Sequence, residues 1–118
     1  HGINKNQYTA IVNRRNINLE KLFKNKFDFI YLESVVTHMP KNDLLELLNA
    51  FPKILKKNGL IFFTFYRGDF YKKLGIKDFL YPIDLIKDYS RNAGFEAVID
   101  NDWFDKEFPM ARLKFINN

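Results

Sequence analysis

The chain has 118 residues, of which 47% are hydrophobic and 17% aromatic, so it fits one globular domain and is neither disordered nor collagen-like. It contains no Cys, which excludes disulfides, Cys zinc sites and thiol nucleophiles, and we expect a cytoplasmic protein without a metal centre. The net charge is +5, but the Lys residues are scattered among Asn, which favours solubility over binding to nucleic acid.

The first element that the sequence predicts is a strand at Phe27–Leu32. Its residues, FDFIYL, are almost all apolar, and this is typical of a parallel strand that is covered on both faces. Residues 4–18 combine helical spacing with many Asn, so no element is assigned there. His1 is an unusual first residue for a nascent chain, and we expect further sequence before it.

An amphipathic helix is predicted to follow this strand. Its apolar side chains recur at spacings of four, three and four residues, at Leu44, Leu48, Phe51 and Leu55. Asp43 is expected to cap the helix, and Glu46 stands where a capping box would place it. Pro52 should kink the helix, and Gly59 should end it.

A second buried strand is predicted at residues 60–65, LIFFTF, a run far shorter than the roughly 20 residues of a membrane-spanning helix. The strand–helix–strand unit implies a right-handed crossover between parallel neighbours. Because parallel strands end at the same edge of a sheet, Glu33 and Ser34 are expected near Tyr66 and Arg67. Ligands bind at this kind of edge in open α/β sheets.

The remaining sequence predicts a helix and a hairpin. Pro82 is placed at the first position of the helix, and Gly94 ends it. Strands are predicted at residues 95–99 and 111–116, with a turn at residues 100–102, and the two strands are expected to pair antiparallel. No internal repeat or second-domain boundary is visible, so residues 1–118 are interpreted as a single α/β domain.

The chain resembles a known family from about Asn18 to its end. Its predicted first strand and the following Ser34-Val35-Val36-Thr37-His38 look like the fourth strand and Ser-Val-x-x-His-like turn of class I S-adenosylmethionine-dependent methyltransferases. The likeness is to the small-molecule, type 11-like group. The stretch around Ala93-Gly94-Phe95 and the approach at Phe108-Pro109-Met110 are similar to the closing helix and antiparallel strand pair of that family.

One departure from the family is large. The first strand of the family, its glycine-rich loop and the helix after it have no counterpart, and no two Gly of the chain are spaced as G-x-G. The resemblance therefore implies a partial Rossmann-like sheet, and we expect the carboxyl-terminal half of a methyltransferase domain that lacks part of its cofactor site. Asn58-Gly59 stands where the family usually has Pro-Gly-Gly.

The resemblance also implies a cofactor and a set of site residues. The cofactor would be S-adenosylmethionine, the acceptor a small molecule, and no metal is implied. The residues that the resemblance points to for cofactor binding are Asn18, Glu33, Ser34 and Val35. Catalysis is assigned to His38 and Glu33 as candidate bases, and acceptor binding to Tyr66, Arg67 and Trp103. Each of these side chains also has an ordinary structural interpretation, as a capping, packing or solvated group.

Methyl transfer from a sulfonium is an in-line displacement that mainly requires alignment of two reactants and exclusion of water. Without the glycine-rich loop, the chain alone is expected to be inactive. It is expected to pair with the missing half or to form a homo-oligomer, because an uncovered sheet edge is a pairing surface. The alternative interpretation is a non-enzymatic, methyltransferase-like interaction or regulatory module.

Overall fold

The computed structural model describes residues 27–116, apart from the side chain of Phe104. The strands are β1 Phe27–Leu32, β2 Leu55–Thr64, β3 Tyr66–Arg67, β4 Lys72–Leu74, β5 Asp78–Tyr81, β6 Phe95–Asp105 and β7 Phe108–Phe115. The helices are a short 3-10 helix Val36–His38, α1 Lys41–Ile54 and α2 Ile83–Asn92.

The main sheet has the strand order β1-β2-β7-β6. Strands β1 and β2 are parallel, with Ile30 opposite Ile61 and Leu32 opposite Phe63, and α1 forms the connection between them. β7 runs antiparallel to both β2 and β6. The predicted strand–helix–strand unit and the predicted antiparallel closing pair are thus confirmed, and the α/β architecture with a partial sheet is as expected.

One core joins the two helices to a single face of this sheet. Alternate strand residues point into it, among them Ile30, Ile61, Phe63 and Leu113, which are at most 3% exposed. Helix α1 contributes a buried stripe of Leu44, Leu47, Leu48, Phe51 and Ile54. Helix α2 contributes Ile86, and the Phe51 and Phe95 rings meet edge to face with centroids 6.5 Å apart.

The predicted ends of α1 were wrong. Pro40 is the N-cap residue, without a side-chain cap, so Asp43 lies in the first turn and does not cap the helix. The helix ends at Ile54, five residues before Gly59, and Leu55 already pairs with Phe27 in the sheet. Pro52 cannot donate a backbone hydrogen bond, so the last turn of the helix is weakened. Pairing of the buried Leu55 in the sheet is therefore more favourable than a longer helix.

The predicted boundaries after α1 differ in two further places. Pro82 is the N-cap of α2 and not its first helical residue, whereas Gly94, with φ of 98°, ends the helix as expected. Residues 100–102 do not form the predicted turn but continue β6. The chain reverses at residues 106–107. The Glu107 N–H donates to Asp105 Oδ1 at 2.9 Å there, and this hydrogen bond to a side chain favours a turn over continued strand pairing.

A second, three-stranded sheet was not predicted. β5 lies between β3, to which it is parallel, and β4, to which it is antiparallel. The strands have two to four residues each, too short for an alternating pattern to stand out in the sequence. This small sheet sets β5 beside the end of the 3-10 helix.

Tyr81 connects this small sheet to the main core. Its ring is fully buried, and its hydroxyl donates to the Met39 carbonyl oxygen at 2.6 Å. Burial, more than the nearby Tyr71, Tyr89 and Asp43, raises the pKa of Tyr81 well above its usual range. The neutral phenol is therefore the form that the folded chain accommodates.

Substitution of Tyr81 by Phe is expected to lower the free energy of unfolding by about 1–3 kcal/mol near neutral pH, because a buried carbonyl loses its donor. Urea denaturation measures this loss. Tyr31→Phe is the control and should lower the free energy of unfolding by less, because the Tyr31 hydroxyl donates to the exposed Glu33. Since unfolded Tyr ionises near pH 10 and folded Tyr81 does not, its contribution is complete below about pH 10 and is lost as the pH rises further. An alkaline loss as large in Tyr81→Phe as in the unsubstituted chain would contradict this assignment.

Candidate functional site

The carboxyl ends of β1 and β2 meet at one edge of the main sheet, which we call the rim. The Ser34 N–H, just after β1, donates to the Thr64 Oγ1 at the end of β2, with a separation of 2.8 Å. Thr64 is fully buried, and Ser34 has a φ of 61°, the left-handed conformation that costs a residue with a side chain about 1–2 kcal/mol. The bond to Thr64 offsets part of this cost and fixes the backbone where the chain leaves β1.

A cavity of about 570 Å³ opens beside the rim. Three of the residues around it were predicted site residues, namely Ser34, Tyr66 and Arg67. The sequence missed the others, which come from β4, β5 and the β6–β7 turn: Leu74, Asp78, Leu80, Asp105, Glu107 and Phe108. We call this space the rim cavity.

One wall of the rim cavity is aromatic. The Tyr66 and Phe108 rings lie at 47° to each other with centroids 5.3 Å apart. Arg67 follows Tyr66, and its backbone N–H donates to the Glu107 carbonyl oxygen at 3.0 Å. The Arg67 guanidinium lies 3.4 Å from the Lys106 carbonyl oxygen, so both ends of this residue are attached to the β6–β7 turn.

The charge around the rim cavity differs in sign from the charge of the chain. Arg67 is the one cationic side chain in its described lining, against the carboxylates of Asp78, Asp105 and Glu107. The whole chain carries +5. The cavity is therefore an acidic, partly aromatic recess in a basic protein, and this favours cationic or hydrogen-bond-donating ligands.

His38 and Asp78 form a pair at the border of this cavity. The His38 Nδ1 lies 3.0 Å from Asp78 Oδ1 and 3.3 Å from the Lys77 carbonyl oxygen. Asp78 lines the cavity, whereas His38, about one third exposed, is not part of the lining. Because Asp78 is 40 residues away in sequence from His38 and flanked by ordinary residues, no sequence signal could have paired them.

Three of the other predicted site residues, Glu33, Val35 and Trp103, are not part of the lining of the rim cavity. Glu33 is exposed and accepts a hydrogen bond from the Tyr31 hydroxyl at 2.6 Å; burial, with a smaller contribution from Glu33, raises the pKa of Tyr31 to about 12. Val35 is partly buried and packs against the core. Trp103 lies in β6, is 53% exposed, and faces the opposite side of the sheet from the helices. Asn18 falls outside the described residues. The roles given to these four side chains stay predictions.

The second face of the main sheet is apolar, and residues 27–116 cover it incompletely. A cavity of about 710 Å³ lies on it, and the Phe29 and Phe62 rings at its base have centroids 5.2 Å apart. Val98 is 45% exposed there, although it is apolar. We call this surface the open sheet face and define it by its apolar residues Phe29, Tyr31, Phe62, Val98, Trp103 and Met110.

Two further features of residues 27–116 bear on the type of site. Neither α1 nor α2 combines the length and apolarity that crossing a membrane requires. Within the same residues, no three His, Asp or Glu side chains are grouped closely enough to hold a metal ion.

Comparison with known proteins rests on structure, since no family model and no curated protein matches the sequence. A structure of DhpI with S-adenosylhomocysteine superposes with a TM-score of 0.65 at 10% identity, covering 81% of this chain and 50% of that one. The glycopeptide N-methyltransferase MtfA, solved with S-adenosylmethionine, superposes with a TM-score of 0.62 at 8% identity, covering 79% of this chain and 59% of that one. An S-adenosylmethionine-dependent methyltransferase from Clostridium acetobutylicum ATCC 824 superposes with a TM-score of 0.61 at 14% identity, covering 79% of this chain and 60% of that one.

The chain thus spans only 50–60% of the length of these three methyltransferase structures. The part of the chain that the structure describes is a partial sheet, with parallel β1 and β2, α1 between them and the antiparallel pair at the end. The resemblance that the sequence indicates is confirmed at the level of the fold: the chain has the fold of the class I S-adenosylmethionine-dependent methyltransferases.

Proposed function

We propose that the chain is the carboxyl-terminal part of an S-adenosylmethionine-dependent methyltransferase domain. The observation that carries the proposal is the rim: parallel β1 and β2 end side by side, joined by the bond from Ser34 to Thr64, next to a cavity of about 570 Å³. In open α/β sheets, ligands bind outside the carboxyl ends of the strands. Related structures hold S-adenosylmethionine, S-adenosylhomocysteine or sinefungin.

The described residues suit one part of a donor site. Ser34 and Val35 leave β1 in a fixed backbone conformation, because the Ser34 N–H donates to Thr64 and the Ser34 carbonyl oxygen accepts from Thr37. Ser34 is exposed, so its hydroxyl is accessible to a bound molecule. S-adenosylmethionine supplies an electrophilic methyl group when it is bound. Ser34 and Val35, with Asn18, would orient the donor, and Glu33 would accept a hydrogen bond from it.

The rim cavity is the proposed place of the acceptor. Tyr66 and Arg67 lie in its wall, so they would hold the acceptor against the donor and exclude water from the line of transfer. A base is useful only for an acceptor that carries a proton, and His38 is the nearer candidate because it contacts the lining residue Asp78. Glu33 and Trp103 would act only on an acceptor that extends beyond the described lining.

The partner that completes this site is the amino-terminal half of a methyltransferase domain. Sheets with parallel strands are normally covered on both faces, but the open sheet face here leaves Val98 and Trp103 about half exposed. The solved relatives are longer by about the amount that such a half would supply. The proposed partner therefore pairs at the edge strand β1, covers the adjoining open sheet face and brings the glycine-rich loop to the rim.

Titration calorimetry with S-adenosylmethionine tests the proposed function. The chain alone is expected to show no measurable binding, because the backbone groups of a glycine-rich loop are missing. The same chain extended at its amino end by a strand, a glycine-rich loop and a helix, which we call the completed domain, is expected to bind. Tight binding by the 118-residue chain without a partner would refute the account of what is missing, and a folded completed domain that does not bind would refute the function.

A further inference from the structure

We propose that the methyl acceptor carries an amino group and that Asp78 is the residue that binds it. This inference rests on the proposed function, because it specifies the acceptor class of the rim cavity. Asp78 begins β5 and lines that cavity, and nothing in the sequence marked it as a site residue.

The Asp78 carboxylate has one oxygen that is free to bind a ligand. Its Oδ1 is closed to solvent and lies 3.0 Å from His38 Nδ1. The side chain as a whole is about one third exposed and lines the rim cavity, so the second oxygen, Oδ2, is the one that a ligand can reach. An N–H group of a ligand in the rim cavity would donate a charge-assisted hydrogen bond to this oxygen.

The remainder of the lining suits the same class of ligand. Tyr66 and Phe108 place two aromatic rings in the wall, and the faces of such rings attract cations. Asp105 and Glu107 add negative charge from the β6–β7 turn. An ammonium group would thus meet a carboxylate, aromatic rings and a favourable local potential in one recess.

Arg67 is the feature that would favour an anionic acceptor instead. Its guanidinium, however, lies against the Lys106 carbonyl oxygen at 3.4 Å, and its backbone is bonded to Glu107 at 3.0 Å. It shares the lining with three carboxylates that would repel an anion. The balance of charge therefore favours an amine over a carboxylate or a phosphate.

Three small probes of nearly equal shape test this inference on the ¹⁵N-labelled chain: benzylamine, benzyl alcohol and benzoate. Amide shifts at Ser34, Tyr66 and Asp78 are followed near pH 7, where benzylamine is a cation. We expect benzylamine to bind about 10-fold more tightly than benzyl alcohol, the usual scale of a charge-assisted hydrogen bond, and benzoate to bind most weakly.

Asp78→Asn is expected to remove most of the preference for benzylamine, whereas Asp88→Asn, an exposed carboxylate on α2, should leave it unchanged. His38→Gln removes the imidazole beside Asp78 Oδ1 but leaves the Asp78 carboxylate in place, so the preference for benzylamine should persist in this variant. The inference would be overturned if benzoate bound with the same affinity as benzylamine, or if the preference for benzylamine survived Asp78→Asn.

The test is separable from the proposed function. Donor binding by the completed domain does not depend on these probes. If the donor binds but benzylamine is not preferred, only the acceptor class is refuted. If benzylamine is preferred but the completed domain binds no donor, the rim cavity is an amine site and the methyl-transfer function is refuted.

Discussion

Replacement of Phe63 by Ala is expected to lower the free energy of unfolding by about 3–5 kcal/mol, the usual cost of deleting a fully buried aromatic side chain. Phe63 is 0% exposed and lies in β2, between β1 and β7, so its ring faces the centre of the core. The Phe65 ring, 6.2 Å away by centroid, would lose a packing partner. The total free energy of unfolding of a domain of this size is only a few times larger than this loss or less, so much of the variant should be unfolded.

Phe62→Ala is the matched control, because Phe62 is the next residue of the same strand but faces the open sheet face. Its partly exposed ring should cost about 1 kcal/mol in the isolated chain, by its smaller loss of buried apolar area. Urea denaturation followed by circular dichroism measures both variants. Equal losses would mean that the two faces of the sheet are not distinct in burial, contrary to the described packing.

The second large effect is expected on association. Phe62→Lys places a charge in the middle of the open sheet face, next to Phe29. Docking of the amino-terminal half would then bury an unpaired charge, which we expect to weaken association about 100-fold or more. Titration of a separately produced amino-terminal half into the chain measures this affinity.

Asn49→Lys provides the same charge on the exposed surface of α1 and should leave the association intact. Isolated Phe62→Lys should remain folded, since the substituted face is partly solvated already. Normal association of folded Phe62→Lys would show that the amino-terminal half binds elsewhere. Loss of association in both variants would point to a general effect of charge and would contradict the proposed docking face.

The central part of the fold was predictable because its signals are local. The almost wholly apolar character of β1 and of residues 60–65 indicates strands, and the apolar stripe between them indicates a helix. The expected coverage on both faces is met by the described residues on the helix side only, since Phe29 and Phe62 on the other face are partly exposed. The boundaries depend on competition between elements. Leu55 fits the helical stripe by spacing, but it lies in β2 because pairing beside β1 buries it as well.

The site was predictable only as far as topology determines it. Parallel strands end at one edge, so Ser34, Tyr66 and Arg67 were correctly expected to lie together. The direction of a single loop side chain follows from contacts that no local pattern encodes, and Glu33 bonds to Tyr31 instead of lining the cavity. Asp78 reaches the site through the small sheet, whose short strands carry no periodic signal.

Mapping of S-adenosylhomocysteine on the ¹⁵N-labelled completed domain tests most directly whether the rim holds the methyl donor. The account predicts that the largest amide shifts fall on Ser34, Val35 and Val36, which follow β1, and on residues of the glycine-rich loop. The amides on the outer surfaces of α1 and α2 should hardly move. Shifts confined to those helices, with none after β1, would contradict the account.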